Sequence, residues 1–364
     1  MESPANHLKT MRAWYAKRRG NPGQVLALRN DYPSPPKPTG ADLLVRVSYA
    51  ALNPADIALT YVLPTWLPWL RDRIPCNDFS GKIELAGPST PKEFTPGVEV
   101  CGCLTVASTL VGRGSLAEFL LVPSHAVSLA PKRLGLPEAA GLSMTGQTAA
   151  MMLNHAKIKP GDRIFVNGGS GGVGSILVQV SKGMGAHVTA TCSAANIEMV
   201  KRLGADEVSK SLQTRNPLTS GKVIDYRANA PLDVYLKSSK MDQPFNQILD
   251  TIRNVELYRS AAHYLKPDGL YINIGADGTQ LQQILGHLRG YCLPTWLGGT
   301  PRRYMTLGLA PSGELQREVV KWADNGLLKE IPMDSELPME DALHVCRFPI
   351  RMRVYSLTSS RVSP

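Results

Sequence analysis

The chain has 364 residues, 43% of them apolar, which is enough for two domains with cores of their own. Its net charge of +10 is small for this length, and its basic residues are scattered apart from Lys17-Arg18-Arg19, which argues against nucleic-acid binding. The six cysteines form no disulfide framework and no C-x-x-C pairs.

The first residues are polar and lack the apolar run of a signal peptide, which predicts a cytoplasmic protein with reduced thiols. No segment approaches the roughly 20 apolar residues that a membrane helix needs. Arginines and glycines interrupt the most apolar stretch, 281–309, which therefore indicates a buried wall or an interface rather than a membrane contact.

Residues 11–130 have the pattern of a β-rich domain, with a proline-rich loop at 33–38. The predicted strands in this part are 43–51, 97–104 and 117–122. From Pro137 the apolar positions take helical spacing, and strands and helices then alternate to about Gly275. A last helix is predicted over 312–325, within a tail of mixed structure.

A glycine-rich turn between a buried strand and a helix is the most informative segment. The strand pattern 164–166 precedes the turn, and apolar residues at helical spacing follow it over 176–180. Gly168, Gly171 and Gly174 have the spacing of a dinucleotide-binding turn, where they allow a tight turn, close approach of a pyrophosphate and close helix packing. The helix N-terminus would face the phosphates. The alternative is a glycine turn that binds no ligand.

The end of the next strand bears on the choice of cofactor. Sites that prefer NAD place Asp or Glu there to bind the ribose 2′-hydroxyl. Here Ser193 and Asn196 follow the strand, and the first acid is Glu198. A 2′-phosphate would meet no repulsion, and Ser193, Asn196 and the basic pair at 201–202 are available as donors. NADPH is therefore predicted over NADH.

Six segments together carry the pattern of one known family. They are Ala50–Asp56 (AALNPAD), Asp78–Gly81 (DFSG), Gly114–Phe119 (GSLAEF), Val166–Gly174 (VNGGSGGVG), Leu203–Val208 (LGADEV) and Tyr264–Gly275 (YLKPDGLYINIG). With these segments the chain resembles the zinc-independent quinone oxidoreductases of the medium-chain dehydrogenase/reductase superfamily. The resemblance covers about residues 10–345, and it is strongest to the branch of reticulon-4-interacting protein and fungal secondary-metabolite reductases.

The resemblance implies an α/β fold with two domains. One is a GroES-like β-rich domain that carries the substrate site, expected over 1–133 and 303–364. The other, expected over 134–302, is a Rossmann domain, a doubly wound parallel sheet that binds NADPH. The cofactor-binding residues are then Gly168, Ser170, Gly171, Gly172, Val173, Gly174, Ser193, Asn196, Tyr226, Ile274 and Gly275.

The resemblance also implies positions in the substrate site. Asn53 and Asp56 correspond to the floor of the pocket, and Thr145 to a position near the nicotinamide. The alternative for Thr145 is a hydroxyl that caps backbone donors at a helix N-terminus. The aromatic-rich segment 61–69 would roof an apolar pocket. Its Tyr61 is a candidate proton donor, with simple packing as the alternative. Asn53, Tyr61 and Thr145 are thus the predicted catalytic residues.

No metal site is predicted. Zinc-dependent members of the superfamily have a cysteine near the Asn-Pro-Ala-Asp segment and a His-Glu pair where Asp78 and Phe79 stand here. Phe79 cannot be a metal ligand, and the four-cysteine loop of the structural zinc site is missing. Cys101 and Cys103 alone fall short of the four ligands of such a site.

Three segments depart from the family pattern. Residues 209–223 interrupt a run that relatives have without a break; we interpret them as a retained in-frame intron, with a genuine surface loop as the alternative. Arg253 stands where relatives have glycine, and it would crowd the cofactor, point outward or pair with a phosphate. The C-terminus lacks the usual last strand, which 353–357 can replace, with a misread last exon as the alternative.

The leading hypothesis is an NADPH-dependent, zinc-independent reductase of a quinone or an α,β-unsaturated carbonyl, with an apolar small-molecule or carrier-bound substrate. The first alternative is a trans-acting enoyl reductase that serves a polyketide synthase. The second is a cofactor-binding protein without turnover. The resemblance also implies a homodimer paired through the nucleotide domain.

Overall fold

The computed structural model describes residues 9–62, 72–105, 107–108, 111–206, 224–225, 231–238, 243–274, 295–297, 299–342 and 353–356. The chain divides into two compact units, Met1–Gln147 with Ala310–Pro364 and Thr148–Leu309. Several predicted features lie outside the described residues: the interruption at 209–223, Tyr226, Gly275 and most of the aromatic segment. Among the residues described, no helix is long and apolar enough to cross a membrane.

The described part of the first unit begins with seven strands and three helices. The strands are β1 (Thr10–Ala16), β2 (Leu26–Pro33), β3 (Asp42–Leu52), β4 (Asp78–Ala86), β5 (Glu99–Cys103), β6 (Phe119–Pro123) and β7 (Val127–Leu129). The helices are Pro22–Val25, Pro54–Val62 and Leu136–Ala156, the last of which continues past Gln147 into the second unit. The three strands and the long helix predicted in this part of the sequence are confirmed, because their apolar periodicity matches the faces that are buried.

The second unit alternates strands with helices. Its strands are β8 (Arg163–Asn167), β9 (His187–Cys192), β10 (Ile224–Asp225), β11 (Phe245–Asp250), β12 (Leu265–Ile274) and β13 (Arg303–Leu307). Its helices are Gly172–Gly183, Ile197–Arg202, Leu232–Ser238 and Val255–Arg259. The six strands form one sheet in the order β10-β9-β8-β11-β12-β13, and every neighbouring pair is parallel.

This strand order makes the second unit a doubly wound Rossmann-type fold. The chain starts at the centre with β8, builds outward through β9 and β10, and then returns to the other side of β8 with β11. The order therefore reverses at β8, and the carboxyl ends of β8, β9 and β11 meet at the switch point where such sheets bind nucleotides. β8 and β9 are buried along almost their whole length, as parallel strands covered by helices are.

The chain then returns to the first unit with the helix Gly313–Asp324 and the strands β14 (Ser335–Pro338) and β15 (Arg353–Ser356). The main sheet of this unit has the order β14-β15-β3-β4-β5-β7, with β6 also paired to β3. The replacement strand predicted near the C-terminus is confirmed, since β15 pairs antiparallel with Tyr49–Leu52 at the end of β3. The first unit has the GroES-like β-rich architecture that the sequence predicted.

Candidate functional sites

The glycine turn joins β8 to the helix Gly172–Gly183 at the switch point. Gly168 has φ +87°, which favours glycine, and a Cβ there would lie 2.5 Å from the Thr251 hydroxyl oxygen. A Cβ on Gly174 would lie 2.1 Å from the Gly168 carbonyl oxygen. Both glycines are therefore required by the close packing of turn, helix and neighbouring loop.

The helix after the turn presents its N-terminus without a side-chain cap. Gly171 occupies the cap position, and within the described residues no side chain accepts from the first-turn N–H groups. Gly171 is exposed, and Ser170, Gly172 and Val173 are half-buried around it. Free N–H groups and the positive end of the helix dipole form an anion-binding position. This geometry fits the pyrophosphate of a dinucleotide.

A network of buried polar side chains holds the glycine turn in place. The Asn167 carboxamide donates to Asp250 Oδ1 at 2.8 Å, and the Thr191 hydroxyl donates to Asn167 Oδ1 at 2.7 Å. The Gly168 N–H donates to the Thr191 hydroxyl oxygen at 2.9 Å. Thus the polar ends of β8, β9 and β11 hold the turn jointly. These residues were not predicted from the sequence, although each of the three apolar strands has a polar residue as its last or next-to-last position.

Asp250 also organises the loop that contains Arg253. Its two carboxylate oxygens accept from the backbone N–H groups of the three residues 252–254 at 2.7–3.1 Å, and from the Tyr271 hydroxyl at 2.7 Å. Burial and the nearby Asp250 raise the pKa of Tyr271 well above its usual value. Arg253 is half-buried and has φ +67°, the left-handed conformation that favours glycine. The departure from glycine at this position therefore strains the backbone of the loop.

The end of β9 carries the residues predicted to bind the adenosine ribose. Asn196 donates to the Ser193 hydroxyl oxygen from its carboxamide at 3.0 Å, and to the Ser193 carbonyl oxygen from its backbone at 2.9 Å. Glu198 is exposed and pairs with Lys201 at 3.0 Å. At this strand end the polar side chains are therefore neutral donors. Ile274, on the same sheet, is the half-buried last residue of β12.

A second cluster lies in the first unit, where Asn53 precedes the helix Pro54–Val62. The Asn53 backbone N–H donates to Asp56 Oδ2 at 2.8 Å, and its carboxamide donates to Asp78 Oδ2 at 2.9 Å. Asn77 donates to Asp56 Oδ1 at 2.9 Å. Burial raises the pKa of Asp56 to about 7 and that of Asp78 to about 8.

Thr145 lies near this cluster, in the middle of the helix Leu136–Ala156. Its hydroxyl donates to the Gly141 carbonyl oxygen at 2.8 Å, one turn back, so the alternative role as an N-terminal cap is wrong. The preceding residue, Met144, donates its N–H to the Asp78 carboxyl oxygens at 3.0 and 3.1 Å. The structure thus connects Asn53 and the Thr145 segment through Asp78.

Tyr61 is placed apart from Asn53. It lies at the far end of the helix Pro54–Val62, about two turns from Asn53, and it is 49% exposed. Its neighbour Thr60 is buried and donates to the Gly20 carbonyl oxygen at 3.1 Å, which fixes this helix end.

The donor atoms near Asp78 do not fit a zinc site. Phe79 is fully buried and has no ligand atom, and the Asp78 oxygens are occupied by Asn53 and Met144. Burial raises the pKa of the neighbouring Cys103 thiol well above its usual value, which disfavours the thiolate that zinc binds. In the described parts of the chain, no group of three or more His, Cys, Asp or Glu side chains could hold a metal ion.

Two protein families match the two units. Residues 39–133 match the alcohol dehydrogenase GroES-like domain, and residues 172–289 match the family described as zinc-binding dehydrogenase. The medium chain reductase pydE of Acremonium sp. is 32% identical, over 92% of this chain and 94% of the relative. The chain belongs to the medium-chain dehydrogenase/reductase superfamily. This resemblance, predicted from the motifs, is confirmed.

The chain is also similar to one further curated protein and to a solved structure. It is 33% identical to the trans-enoyl reductase poxH of Penicillium oxalicum, over 92% of this chain and 93% of the relative. The structure of the quinone oxidoreductase from Coxiella burnetii has the same fold, with a TM-score of 0.74, 21% identity and coverage of 96% and 99%. The chain is thus an oxidoreductase of this superfamily, whose members use nicotinamide cofactors.

Proposed function

We propose that the chain is an NADPH-dependent, zinc-independent reductase of α,β-unsaturated carbonyls or quinones. The observation that carries this proposal is the uncapped glycine turn, together with a strand end at Ser193 and Asn196 that offers neutral donors. The turn suits a pyrophosphate, and the strand end suits a 2′-phosphate better than a free 2′-hydroxyl.

NADPH, when bound, supplies the hydride. The protein then has to hold the cofactor, orient the acceptor and exclude water. Gly168, Gly171 and Gly174 would hold the pyrophosphate, and Ser193 and Asn196 would donate to the 2′-phosphate. Tyr226, Ile274 and Gly275 complete the proposed cofactor contacts.

Asn53 and Thr145 are the proposed substrate-orienting residues of the first unit. Both are buried, and both are held by hydrogen bonds of 2.8–2.9 Å. The Asn53 carboxamide keeps a second N–H that can donate to a carbonyl oxygen, whereas the Thr145 hydroxyl donates to Gly141 and can still accept a hydrogen bond. Tyr61, which is largely exposed, is the proposed proton donor.

The donor atoms around Asp78 support the proposed zinc independence. In a zinc-dependent reaction the metal polarises the carbonyl oxygen and needs free ligand atoms of the protein. Phe79 offers none, and the Asp78 oxygens are bonded to Asn53 and Met144. Polarisation of the acceptor is therefore assigned to hydrogen-bond donors.

A second candidate function is favoured by the relative poxH, which is named a trans-enoyl reductase and aligns over nearly the whole chain. In this variant of the proposal the substrate is an enoyl chain attached to a carrier, and the partner is a polyketide synthase. The reaction type and the cofactor site are the same, so the two candidates differ only in the acceptor.

Consumption of NADPH by the purified protein tests both candidates. The acceptors are a simple quinone, a simple enone and an enoyl thioester on a carrier protein. Turnover of the quinone or the enone supports the first candidate, and turnover of the carrier-bound thioester alone supports the second. Binding of NADPH without turnover of any acceptor would identify a cofactor-binding protein and contradict both.

A further inference from the structure

Two carboxyl groups that the proposed reaction does not use lie buried against Asn53. Asp56 and Asp78, the carboxyl pair, are 3% and 0% exposed. Asp56 accepts from the backbone N–H of Asn53 at 2.8 Å, and Asp78 accepts from its carboxamide at 2.9 Å. The carboxyl pair therefore fixes both the backbone and the side chain of the same residue.

Asp78 also reaches the segment that contains Thr145. Its two oxygens lie 3.0 and 3.1 Å from the backbone nitrogen of Met144, the residue before Thr145. Its own position at the start of β4 is fixed, because the Ser115 hydroxyl donates to its carbonyl oxygen at 2.8 Å. Asp78 thus bonds to one proposed catalytic residue and to the chain neighbour of another.

The groups around the carboxyl pair do not balance two negative charges. Asn53 and Asn77 donate to the carboxyl pair from their amide groups, and Met144 donates from its backbone N–H. Cys103, on β5, pairs with Asp78 in the sheet and brings a thiol close to it. Among the described residues, no lysine, arginine or histidine bonds to either carboxyl group. Two uncompensated charges in such a place repel each other strongly. At least one of the two carboxyl groups therefore keeps its proton at neutral pH.

We infer that Asp78 is a positioning residue, which bonds to both the Asn53 carboxamide and the Met144 backbone N–H and fixes their relative position only while the carboxyl pair carries no more than one negative charge. This inference rests on the proposed function for the roles of Asn53 and Thr145. A second charge would push the two carboxyl groups apart and admit water. Because both carboxyl groups accept hydrogen bonds from Asn53, their separation would also displace Asn53. Substrate orientation would then be lost while cofactor binding remained.

The hydrogen bond from the Met144 N–H to Asp78 can be observed without any turnover. The chain has 12 methionines, and selective ¹⁵N labelling resolves their backbone N–H signals, with Met144→Leu to assign the one of interest. Between pH 6 and 9 the Met144 signal should move, and Asp78→Asn should abolish the movement. Asp56→Asn should also remove the movement, because the remaining carboxyl group can carry only one charge and still accepts from Met144. A Met144 signal that does not move, or that moves equally in Asp78→Asn, would overturn the inference.

Kinetics test the consequence for the reaction. We expect kcat with an accepted enone to fall in the wild type as pH rises above 8, and Asp78→Asn to lower kcat by about tenfold without this alkaline limb. The affinity for NADPH should be unchanged in the variant. Equal kcat and an unchanged pH profile in Asp78→Asn would contradict the positioning role. If no acceptor is turned over by the wild type while the Met144 signal still titrates, the proposed function fails and the hold by Asp78 stands.

Discussion

The Asn167 carboxamide donates to the Asp250 carboxylate at 2.8 Å across neighbouring parallel strands. This bond ties the glycine turn, which follows Asn167, to the Arg253 loop, which follows Asp250. The Asp250 carboxylate accepts three backbone N–H groups from that loop as well. One buried carboxylate therefore shapes two segments at the nucleotide edge of the sheet.

Replacing this carboxylate should destabilise the second unit. In Asp250→Asn an amide group faces backbone donors, so that at least one of them loses its acceptor. We expect the free energy of unfolding in urea to fall by about 2–4 kcal/mol. Glu256→Gln is the control, because Glu256 pairs with Arg259 on the surface and should change stability by less than about 1 kcal/mol. Equal effects of the two substitutions would refute the role of Asp250.

Arg253→Gly should relieve backbone strain and improve cofactor binding. A non-glycine residue at φ +67° costs roughly 1–2 kcal/mol, of which the greater flexibility of glycine in the unfolded chain offsets about half, so a gain of about 0.5–1 kcal/mol is expected. The matched control is Lys157→Gly, at φ +49° just after the helix Leu136–Ala156.

Both variants should gain stability in thermal unfolding, but only Arg253→Gly should bind NADPH more tightly. An unchanged NADPH affinity in Arg253→Gly would mean that the arginine side chain does not crowd the cofactor. A weaker affinity would mean that the guanidinium contacts a phosphate.

Gly171→Ala separates cofactor binding from folding. A Cβ at Gly171 would meet the Gly168 carbonyl oxygen at 3.4 Å, an ordinary contact, so the unfolding midpoint should hardly change. The methyl group would stand at the uncapped helix N-terminus and should weaken NADPH binding by about tenfold or more. Gly308→Ala, which meets nothing within 4 Å, should change neither property. Normal NADPH binding by Gly171→Ala would place the pyrophosphate elsewhere.

Ser193→Asp should reverse the cofactor preference. A carboxylate at this strand end repels a 2′-phosphate and accepts from a free 2′-hydroxyl. Titrations by nicotinamide fluorescence should show NADPH affinity lowered by about tenfold and NADH affinity raised. Ser193→Asn, which is neutral and similar in size, should keep the preference for NADPH. If both variants behave alike, Ser193 does not contact the ribose.

The carboxyl pair predicts how stability depends on pH. Its folded-state pKa values of about 7 and about 8 lie above the unfolded value near 4, so the folded protein binds more protons between these limits. The contribution of the carboxyl pair to the free energy of unfolding is therefore fully present below about pH 4, and this contribution is lost as pH rises toward 8. Urea unfolding at pH 5.5 and 8 should show a loss that Asp56→Asn/Asp78→Asn reduces by more than about 1 kcal/mol. An identical loss in the double variant would contradict buried protons at this site.

Local patterns in the sequence were sufficient for much of the fold. The glycine spacing after 164–166 identified the turn, and the alternation of strands and helices identified the parallel sheet, because both depend on neighbours within about ten residues. The strand near the C-terminus was predicted as a replacement for the last strand that the family usually has.

The contacts that shape the two sites could not be predicted in this way. Asn167 and Asp250 are 83 positions apart, and Asp78 and Met144 are 66 apart, so their bonds depend on how the strands and helices meet. The position of Thr145 was misjudged in one alternative because its helix begins nine residues earlier, at Leu136. The strain at Arg253 is a backbone angle, which the residue type alone does not reveal.

Titration of the purified protein with NADPH and with NADH, followed by nicotinamide fluorescence, would show whether the glycine turn and the Ser193 strand end form an intact NADPH site. We expect NADPH to bind at least about tenfold more tightly than NADH, and Gly171→Ala to weaken NADPH binding by about tenfold or more. Binding of neither cofactor, or tighter binding of NADH, would contradict this expectation.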